Sequence, residues 1–320
     1  MCGGSHLSPF IAVSGGLCME KPYVHDSGQT DIRSALNDAT RDLVQGGSPT
    51  PRLDAEVLLS YCIRQDRLRL YAHPEDILTQ DELQRFQRWI VRRRKGEPVA
   101  YITGKKEFWS LSFEVNRNVL IPRPETELLV ESIVKVYSSG YGDHHVMILD
   151  IGTGSGAISV ALASELKNAR IVATDISQDA LAVAMRNSRK NGVSSQISFR
   201  WGSLFEPVSE KFDVIVSNPP YISEDAFLFL PRGVREFEPE LALVAGRGGT
   251  AFHRDIIAQG YFYLKEGGRL FIEMGADQKD LVSEIFKESA FYDEIAFIRD
   301  HTGVERAFTA RRKRKGLADG

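Results

Sequence analysis

Asn218-Pro219-Pro220-Tyr221 is the stretch best equipped for chemistry. It follows an apolar run, residues 212–217, with the length and composition of a buried strand. Two successive prolines remove two ladder donors and fix two φ angles, so the strand ends in a rigid corner. The Asn218 side chain carries a carbonyl acceptor and an amide donor, while Pro219 has a carbonyl and no N–H. Two acceptors converging on such a corner match the two hydrogens of a planar –NH2 group. Tyr221 adds a flat ring for stacking on a planar partner. Asn218, Pro219 and Tyr221 are therefore candidate catalytic residues, and with Pro220 they form a candidate substrate-binding corner. The matching substrate group is an amine on an sp2 carbon: a carboxamide or a nucleobase exocyclic amine. The plainer account of the same residues is a polar loop stopped by Pro-Pro.

A second constellation lies upstream, in Asp150-Ile151-Gly152-Thr153-Gly154-Ser155-Gly156. Here a strand passes into a helix, and Gly152 and Gly154 let the backbone turn sharply and approach a ligand. Asp175 ends the next strand, about the distance downstream at which an acidic residue accepts both hydroxyls of a ribose. The spacing Gly152-x-Gly154-x-x-Ala157 also fits a dinucleotide fingerprint. Glycines and acid together describe a nucleoside bound by an α/β sheet, and they do not separate a nicotinamide cofactor from S-adenosylmethionine. The Asn218 corner favours the second. Hydride transfer has no evident need for an amino-group clamp, whereas methyl transfer to nitrogen does.

The elements that must position these residues follow from periodicity. From Val146 onward short apolar strands alternate with helices, the pattern of a parallel sheet. Strands are expected at 146–151, 171–175, 197–201 and 212–217, with helices to about 166 and over 177–191. A long loop at 222–250, a helix at 251–264, a strand at 269–273 and a helix at 277–288 follow. Segments 293–298 and 306–310 suit a closing hairpin. Upstream, residues 31–96 read as helical. Ile32, Ala35, Leu36, Ala39 and Leu43 recur at helical spacing until Gly46-Gly47. A second helix after Pro51 places Leu53, Val57, Leu58 and Tyr61 on one side. A third opens with the capping box Thr79-x-x-Glu82, carries Leu83, Phe86 and Ile90 inward and ends at Gly96. Its other side holds Arg85, Arg88, Arg92, Arg93, Arg94 and Lys95, either a solvated face or a docking surface for an acidic or RNA-bound partner. Residues 97–120 read as a hairpin linker, with Tyr101-Ile102-Thr103 and Phe113-Glu114-Val115 flanking a Gly-Lys-Lys turn. Pro124 is placed to open the helix that carries Leu128 to Tyr137.

The 42% apolar and 26% charged content over 320 residues is that of a globular protein of about two domains. No apolar run is long enough for a membrane span. A net charge of −3 gives no global attraction to nucleic acid. Cys2, Cys18 and Cys62 form no C-x-x-C pair, which argues against a zinc site or a disulfide framework and fits a reducing compartment. No metal site is expected. Residues 1–30, rich in Gly and Ser, read as a disordered extension with neither a signal-peptide nor a presequence pattern, and Met19 is an alternative start. The basic run from Arg311 to Lys315 reads as a solvated end, with 313–320 as a basic tail.

Asp150 to Gly156, Asp175 and Asn218 to Tyr221 together resemble an S-adenosylmethionine-dependent amino methyltransferase. Three further segments narrow the resemblance: Ile121-Pro122-Arg123-Pro124-Glu125-Thr126-Glu127, Glu236-Phe237-Glu238-Pro239-Glu240-x-Ala242-Leu243 and Asp300-x-x-Gly303-x-x-Arg306. These are similar to the release-factor glutamine methyltransferases of the HemK/PrmC type, over about residues 31 to 312. The resemblance implies an α/β class I methyltransferase fold, Rossmann-like, with a mostly parallel seven-stranded sheet. A catalytic domain at 121–312 would then be preceded by a small helical substrate-docking domain at 31–96. It also implies methyl transfer to the glutamine side-chain nitrogen in the Gly-Gly-Gln loop of class 1 peptide chain release factors, in the cytoplasm, without sequence-specific nucleic-acid binding. Gly152, Thr153, Gly154, Ser155, Gly156, Asp175, Ser203, Leu204 and Asn218 would hold the cofactor. Arg123, Glu125 and Thr126 would close over it. Ser203 departs from the family pattern, which usually has an aspartate near the adenine. The competing expectation is an adenine-N6 DNA or RNA methyltransferase, which would use the same clamp on a flipped base.

Overall fold

The computed structural model describes residues 29–138 and 145–314, so most of the expected extension and of the basic tail lies outside the described residues. Helix α1 (Ile32–Gln45) begins where the Asp31 carboxylate accepts from the Ser34 N–H at 2.7 Å. It buries Ile32, Ala35, Leu36, Ala39 and Leu43, the face its spacing demands. Helix α2 (Pro51–Ile63) differs from expectation. Its buried face is Ala55, Leu58, Leu59 and Cys62, whereas Leu53 and Tyr61 are 43% and 40% exposed. Asp54 and Glu56 also lie on the inner side because both are paired. Asp54 accepts from Arg93 Nε at 2.7 Å, and Glu56 is bonded by Arg52, Arg67 and the Tyr71 hydroxyl. Two compensated carboxylates rotate the helix away from its simplest apolar stripe.

The short α3 (Arg67–Ala72) follows, then α4 (Gln80–Arg94) with its capping box formed in both directions. Phe86 and Ile90 are buried and Leu83 is half-buried. The cationic side of α4 is not uniformly solvated. Arg92 bridges Glu97, Arg93 holds Asp54, and Arg85 donates to the Cys62 carbonyl. Arg88, Arg94 and Lys95 are exposed.

The linker also departs from expectation. Tyr101, Ile102 and Thr103 belong to a helical turn, α5 (Val99–Thr103), opened by Pro98 and closed by Gly104 at φ 72°. The hairpin is β1 (Lys105–Phe108) against β2 (Leu111–Glu114), so Lys105 and Lys106 are strand residues. Its turn is Trp109-Ser110, both with positive φ, as a two-residue hairpin requires. The Tyr101 hydroxyl ties this region to the Val119 carbonyl at 2.6 Å.

A 3₁₀ turn (Pro124–Thr126) leads into α6 (Glu127–Tyr137). Then come β3 (Val146–Ile151), α7 (Ala157–Glu165), β4 (Ala169–Asp175), α8 (Gln178–Lys190), β5 (Ile197–Trp201) and β6 (Phe212–Ser217). The expected long loop contains two single-turn helices, α9 (Glu224–Phe227) and α10 (Arg232–Arg235), and a 3₁₀ turn (Glu240–Ala242). Helix α11 (Ala251–Tyr263), β7 (Leu264–Glu273), α12 (Lys279–Lys287), β8 (Tyr292–Arg299) and β9 (Glu305–Arg312) complete the chain. The seven strands form one sheet in the order β5-β4-β3-β6-β7-β9-β8, parallel except for β9, which is antiparallel to both neighbours. This is the class I methyltransferase fold.

Ile148, Val214 and Val216 pack with α6 and α7 on one face, and Leu149, Ile215 and Leu270 with α11 and α12 on the other. Both faces are therefore covered, as a parallel sheet requires. Arg311 and Arg312 are not a solvated end. Arg311 pairs with Asp293 at 2.8 Å, and Arg312 is buried in β9 over the Tyr261 ring. No helix among the described residues is long and apolar enough to cross a membrane.

Candidate active site

In the parallel register of β3 and β6, Ile151 lies opposite Ser217. Gly152 and Asn218 therefore leave the sheet side by side. The chain order reverses at β3, which has β4 on one side and β6 on the other. Open α/β sheets leave a crevice at the carboxyl ends of strands at such a switch point. A cavity of about 320 Å³ opens there. Its walls include Gly152, Thr153, Gly154, Ser155 and Asp175, then Ser203 and Leu204, then Asn218, Pro219 and Pro220. Four segments separated in sequence thus meet in one space.

Each wall has a local cause. Gly152 and Gly154 adopt left-handed φ of 71° and 55° and turn the chain over the end of β3. Asp150 anchors this turn from beneath: the hydroxyls of Thr153 and Ser159 donate to its Oδ2 at 2.7 and 2.6 Å. Asp150 is fully buried, and burial pushes its carboxyl up to about 6. Gly156 does not line the cavity. A Cβ there would stand 3.1 Å from Ala184 Cβ, so this glycine serves the close packing of α7 on α8. The Asp175 carboxylate accepts from the Gly154 N–H at 2.8 Å and the Ser177 N–H at 2.9 Å. Burial raises its pKa and these backbone donors oppose the rise.

The Asn218 corner is braced from the 3₁₀ turn before α6 and from the end of β7. Asn218 Nδ2 donates to Thr126 Oγ1 at 3.0 Å. That bond takes one of the two Nδ2 hydrogens, and Oδ1 accepts from no protein donor among the described residues. Tyr221 lies behind the wall. Its hydroxyl donates to Glu273 Oε1 at 3.2 Å, and its carbonyl accepts from Gln278 Nε2 at 2.8 Å. Glu273, at the end of β7, is buried with no hydrogen-bond partner for Oε2 among the described residues, and burial pushes its carboxyl up to about 7. Arg123 and Thr126 also line the cavity, whereas Glu125 is exposed. The Arg123 guanidinium donates to buried Glu238 at 2.6 Å, and the other Glu238 oxygen accepts from the Ile121 N–H at 3.1 Å. One ion pair therefore joins the proline-rich segment before α6 to the loop after β6.

Sequence reasoning missed Glu273, Thr126 as a partner of Asn218, and Gln278. The available signal for Glu273 was a lone carboxylate inside the apolar run Leu270-Phe271-Ile272-Glu273-Met274.

The cavity residues fit S-adenosylmethionine. Each oxygen of the Asp175 carboxylate retains acceptor capacity beyond its one backbone bond, enough for ribose hydroxyls. No atom stands within 4 Å of a Cβ built on Gly152, so the turn leaves room for a ligand to approach the backbone. Ile176 and Leu204 supply apolar walls suited to an adenine, and the volume is within the range of small-ligand sites.

Residues 34–104 match the family profile described as the PrmC N-terminal domain, and residues 124–229 that described as the Methyltransferase small domain. A release factor glutamine methyltransferase of Vibrio cholerae serotype O1 is 41% identical over 278 residues, covering 86% of this chain and 94% of its own. The enzyme of that name from Moorella thermoacetica is 40% identical over 283 residues, covering 88% and 99%. Among solved structures, the hMettl16 catalytic domain in complex with the MAT2A 3'UTR hairpin 6 aligns with a TM-score of 0.51 at 17% identity. That alignment covers 76% of this chain and 86% of the other, and the likeness is one of fold alone. The methyl donor is S-adenosylmethionine. With relatives at this identity matching nearly their whole length, the chain belongs to the release factor glutamine methyltransferase family.

Proposed function

We propose that this protein methylates the side-chain amide nitrogen of the glutamine in the Gly-Gly-Gln loop of class 1 peptide chain release factors, in the cytoplasm where translation ends. The observation that carries the reading is the orientation of Asn218. Its Nδ2 donates to Thr126 Oγ1 and both Asn218 and Pro219 line the cavity, which supports Oδ1 and the Pro219 carbonyl as the acceptor pair. A primary amide presents two N–H groups to match.

An amide nitrogen is a poor nucleophile because its lone pair is delocalised. Asn218 Oδ1 and the Pro219 carbonyl accept its two N–H bonds and hold the nitrogen toward the cofactor, an effect of proximity and orientation. Positive charge develops on the nitrogen as the new bond forms, and the two preorganised carbonyl dipoles stabilise it. The N-methylated amide is strongly acidic before it loses its proton, so no dedicated base is needed. Tyr221, behind the wall, braces the corner through Glu273 and Gln278 and does not offer the stacking face expected of it. When bound, S-adenosylmethionine supplies an electrophilic methyl group on a sulfonium. Gly152, Thr153, Gly154, Ser155, Asp175, Ser203 and Leu204 hold it, and Gly156 shapes the turn that carries the first four. Residues 31–96 dock the release factor, with Arg88, Arg94 and Lys95 as the cations left free on α4 for an acidic surface. No sequence-specific contact with nucleic acid is part of this reading.

Asn218→Ala tests it. By analogy with loss of an oxyanion-hole donor, kcat falls by about 10²–10³, while the fold and cofactor affinity are largely retained. A wild-type rate for Asn218→Ala overturns the clamp.

A further inference from the structure

Each turnover requires that the cofactor enter the cavity and its demethylated product leave, so the fastening of the cavity walls bears on the rate. Gly152 to Ser155, Asp175 and Asn218 sit at strand ends that the sheet holds in place. Two further stretches of wall come from outside the sheet. One lies within residues 117–123, ahead of the 3₁₀ turn before α6, and the other within residues 239–242, in the loop after β6. Glu238 fastens one to the other. Its side chain is 1% exposed. Its Oε1 accepts from Arg123 Nη2 at 2.6 Å, and its Oε2 accepts from the Ile121 N–H at 3.1 Å. Next to it, the Arg117 guanidinium lies 4.8 Å from the centre of the Phe237 ring, and Phe237 packs on the apolar cluster that contains Val119 and Ile121. The loop is anchored on both sides of this clasp. Gly233 approaches the end of the helical domain so closely that a Cβ built on it would stand 3.0 Å from the Gly96 carbonyl oxygen. The Leu243 carbonyl accepts at 2.9 Å from the N–H of Ile222, the residue that follows the Asn218 corner.

We infer that Glu238 is a positioning residue that latches this loop against residues 117–123, and that its pair with Arg123 sets the rate at which S-adenosylmethionine and S-adenosylhomocysteine exchange. The inference concerns the cofactor and holds whichever nitrogen accepts the methyl group. Both oxygens of one carboxylate are bound by the same opposing segment, one by a side chain and one by the backbone. The two walls therefore cannot part by breaking a single weak contact. When they part, a buried carboxylate loses its cation, which is costly unless Glu238 is carried out to water with the loop. Partly open arrangements are thus disfavoured, and the closed one prevails with or without a ligand. Passage through such a wall waits on its opening in either direction. A latch consequently slows entry and departure together, whereas a side chain that only contacts the ligand slows departure. The loop also reaches from the helical domain at Gly96 to the corner at Ile222, so the clasp stands between the two parts of the chain that a protein substrate would touch.

The test is stopped-flow measurement on the full chain of the association and dissociation rates of S-adenosylhomocysteine, for wild type and Glu238→Gln. Gln keeps the side-chain volume and an acceptor for the Ile121 N–H, and removes the charge that Arg123 pairs. Both rates are expected to rise about tenfold, the order of effect when a charge-assisted hydrogen bond becomes a neutral one. Because they rise together, the dissociation constant is expected to stay within about threefold of wild type. A faster dissociation with association unchanged overturns the latch and makes Glu238 a support of the ligand site alone. Two unchanged rates, or a slower association, overturn it as well. If Glu238→Gln does not fold, the double variant Arg123→Gln with Glu238→Gln takes its place, since it buries no unpaired charge. The same joint rise is expected of it, and wild-type rates overturn the inference. These outcomes are separate from the acceptor proposed above. A protein that exchanges cofactor as expected but leaves release factor unmethylated removes that acceptor and leaves the latch standing.

Discussion

Replacing Glu273 by Gln changes the pH dependence of stability in a direction the structure fixes. Burial moves this carboxyl from an ordinary value near 4.5 to about 7 in the folded chain. Between those values the folded protein holds a proton that the unfolded chain has released. Stability therefore falls as pH rises through about 4.5 to 7 and levels off above. One pKa unit corresponds to about 1.4 kcal/mol, so the loss approaches about 3 kcal/mol at its largest. Gln does not titrate, so the variant lacks this loss. Asp150, pushed up to about 6 for the same reason, is present in both proteins and cancels in the difference. Thermal midpoints measured from pH 5 to 8 for both proteins are the assay. The variant is expected to gain on wild type by several degrees as pH rises. Two curves that stay parallel across the range would refute the argument, since they would mean that Glu273 does not titrate in this window.

Asp175→Ala removes the proposed ribose acceptor and should weaken S-adenosylmethionine binding by about 1.5–3 kcal/mol, read by calorimetry; unchanged affinity would take Asp175 out of the site. Reversing Arg88, Arg94 and Lys95 to Glu should raise KM for release factor several-fold at low salt, less at high salt, with cofactor affinity unchanged. A constant KM at low salt would move docking to another surface. Arg93→Ala should behave differently from that trio, because it takes the cation from the buried Asp54 carboxylate, whose side chain is 9% exposed, and leaves it only the Ser48 and Thr50 hydroxyls. A loss of about 3–5 kcal/mol in unfolding free energy is expected, and a normal melting curve would contradict the pairing.

The catalytic half of the fold was legible because its central strands are buried on both faces and its strands end in residues that cannot continue them. The strands at 146–151, 197–201 and 212–217 begin and end at the residues read from sequence, the last stopped by Asn218-Pro219. Legibility failed where polar groups are internal. Asp54 and Glu56 turn the buried side of α2 away from Leu53 and Tyr61, and beside Arg52 of the same helix the cations that compensate them, Arg93 and Arg67, come from elsewhere in the chain. Pairwise solutions of this kind leave no period to detect. The hairpin was placed in the right segment with the wrong residues, since Gly104 is the left-handed cap of α5 and not the start of a turn between strands. At the site, Asn218, Asp175 and the glycines announce themselves through spacing. Thr126 and Glu273 do not, because they reach Asn218 and Tyr221 only through the order of strands in the sheet.

The central claim is the identity of the methyl acceptor. Purified protein incubated with S-adenosylmethionine and release factor, followed by mass spectrometry of the release-factor peptides, tests it directly. The account predicts one added methyl group on the peptide that contains the Gly-Gly-Gln loop, assigned by fragmentation to the glutamine side chain, and none when that glutamine is alanine. Release factor left unmodified, with methyl transferred instead to adenine in nucleic acid, would contradict it.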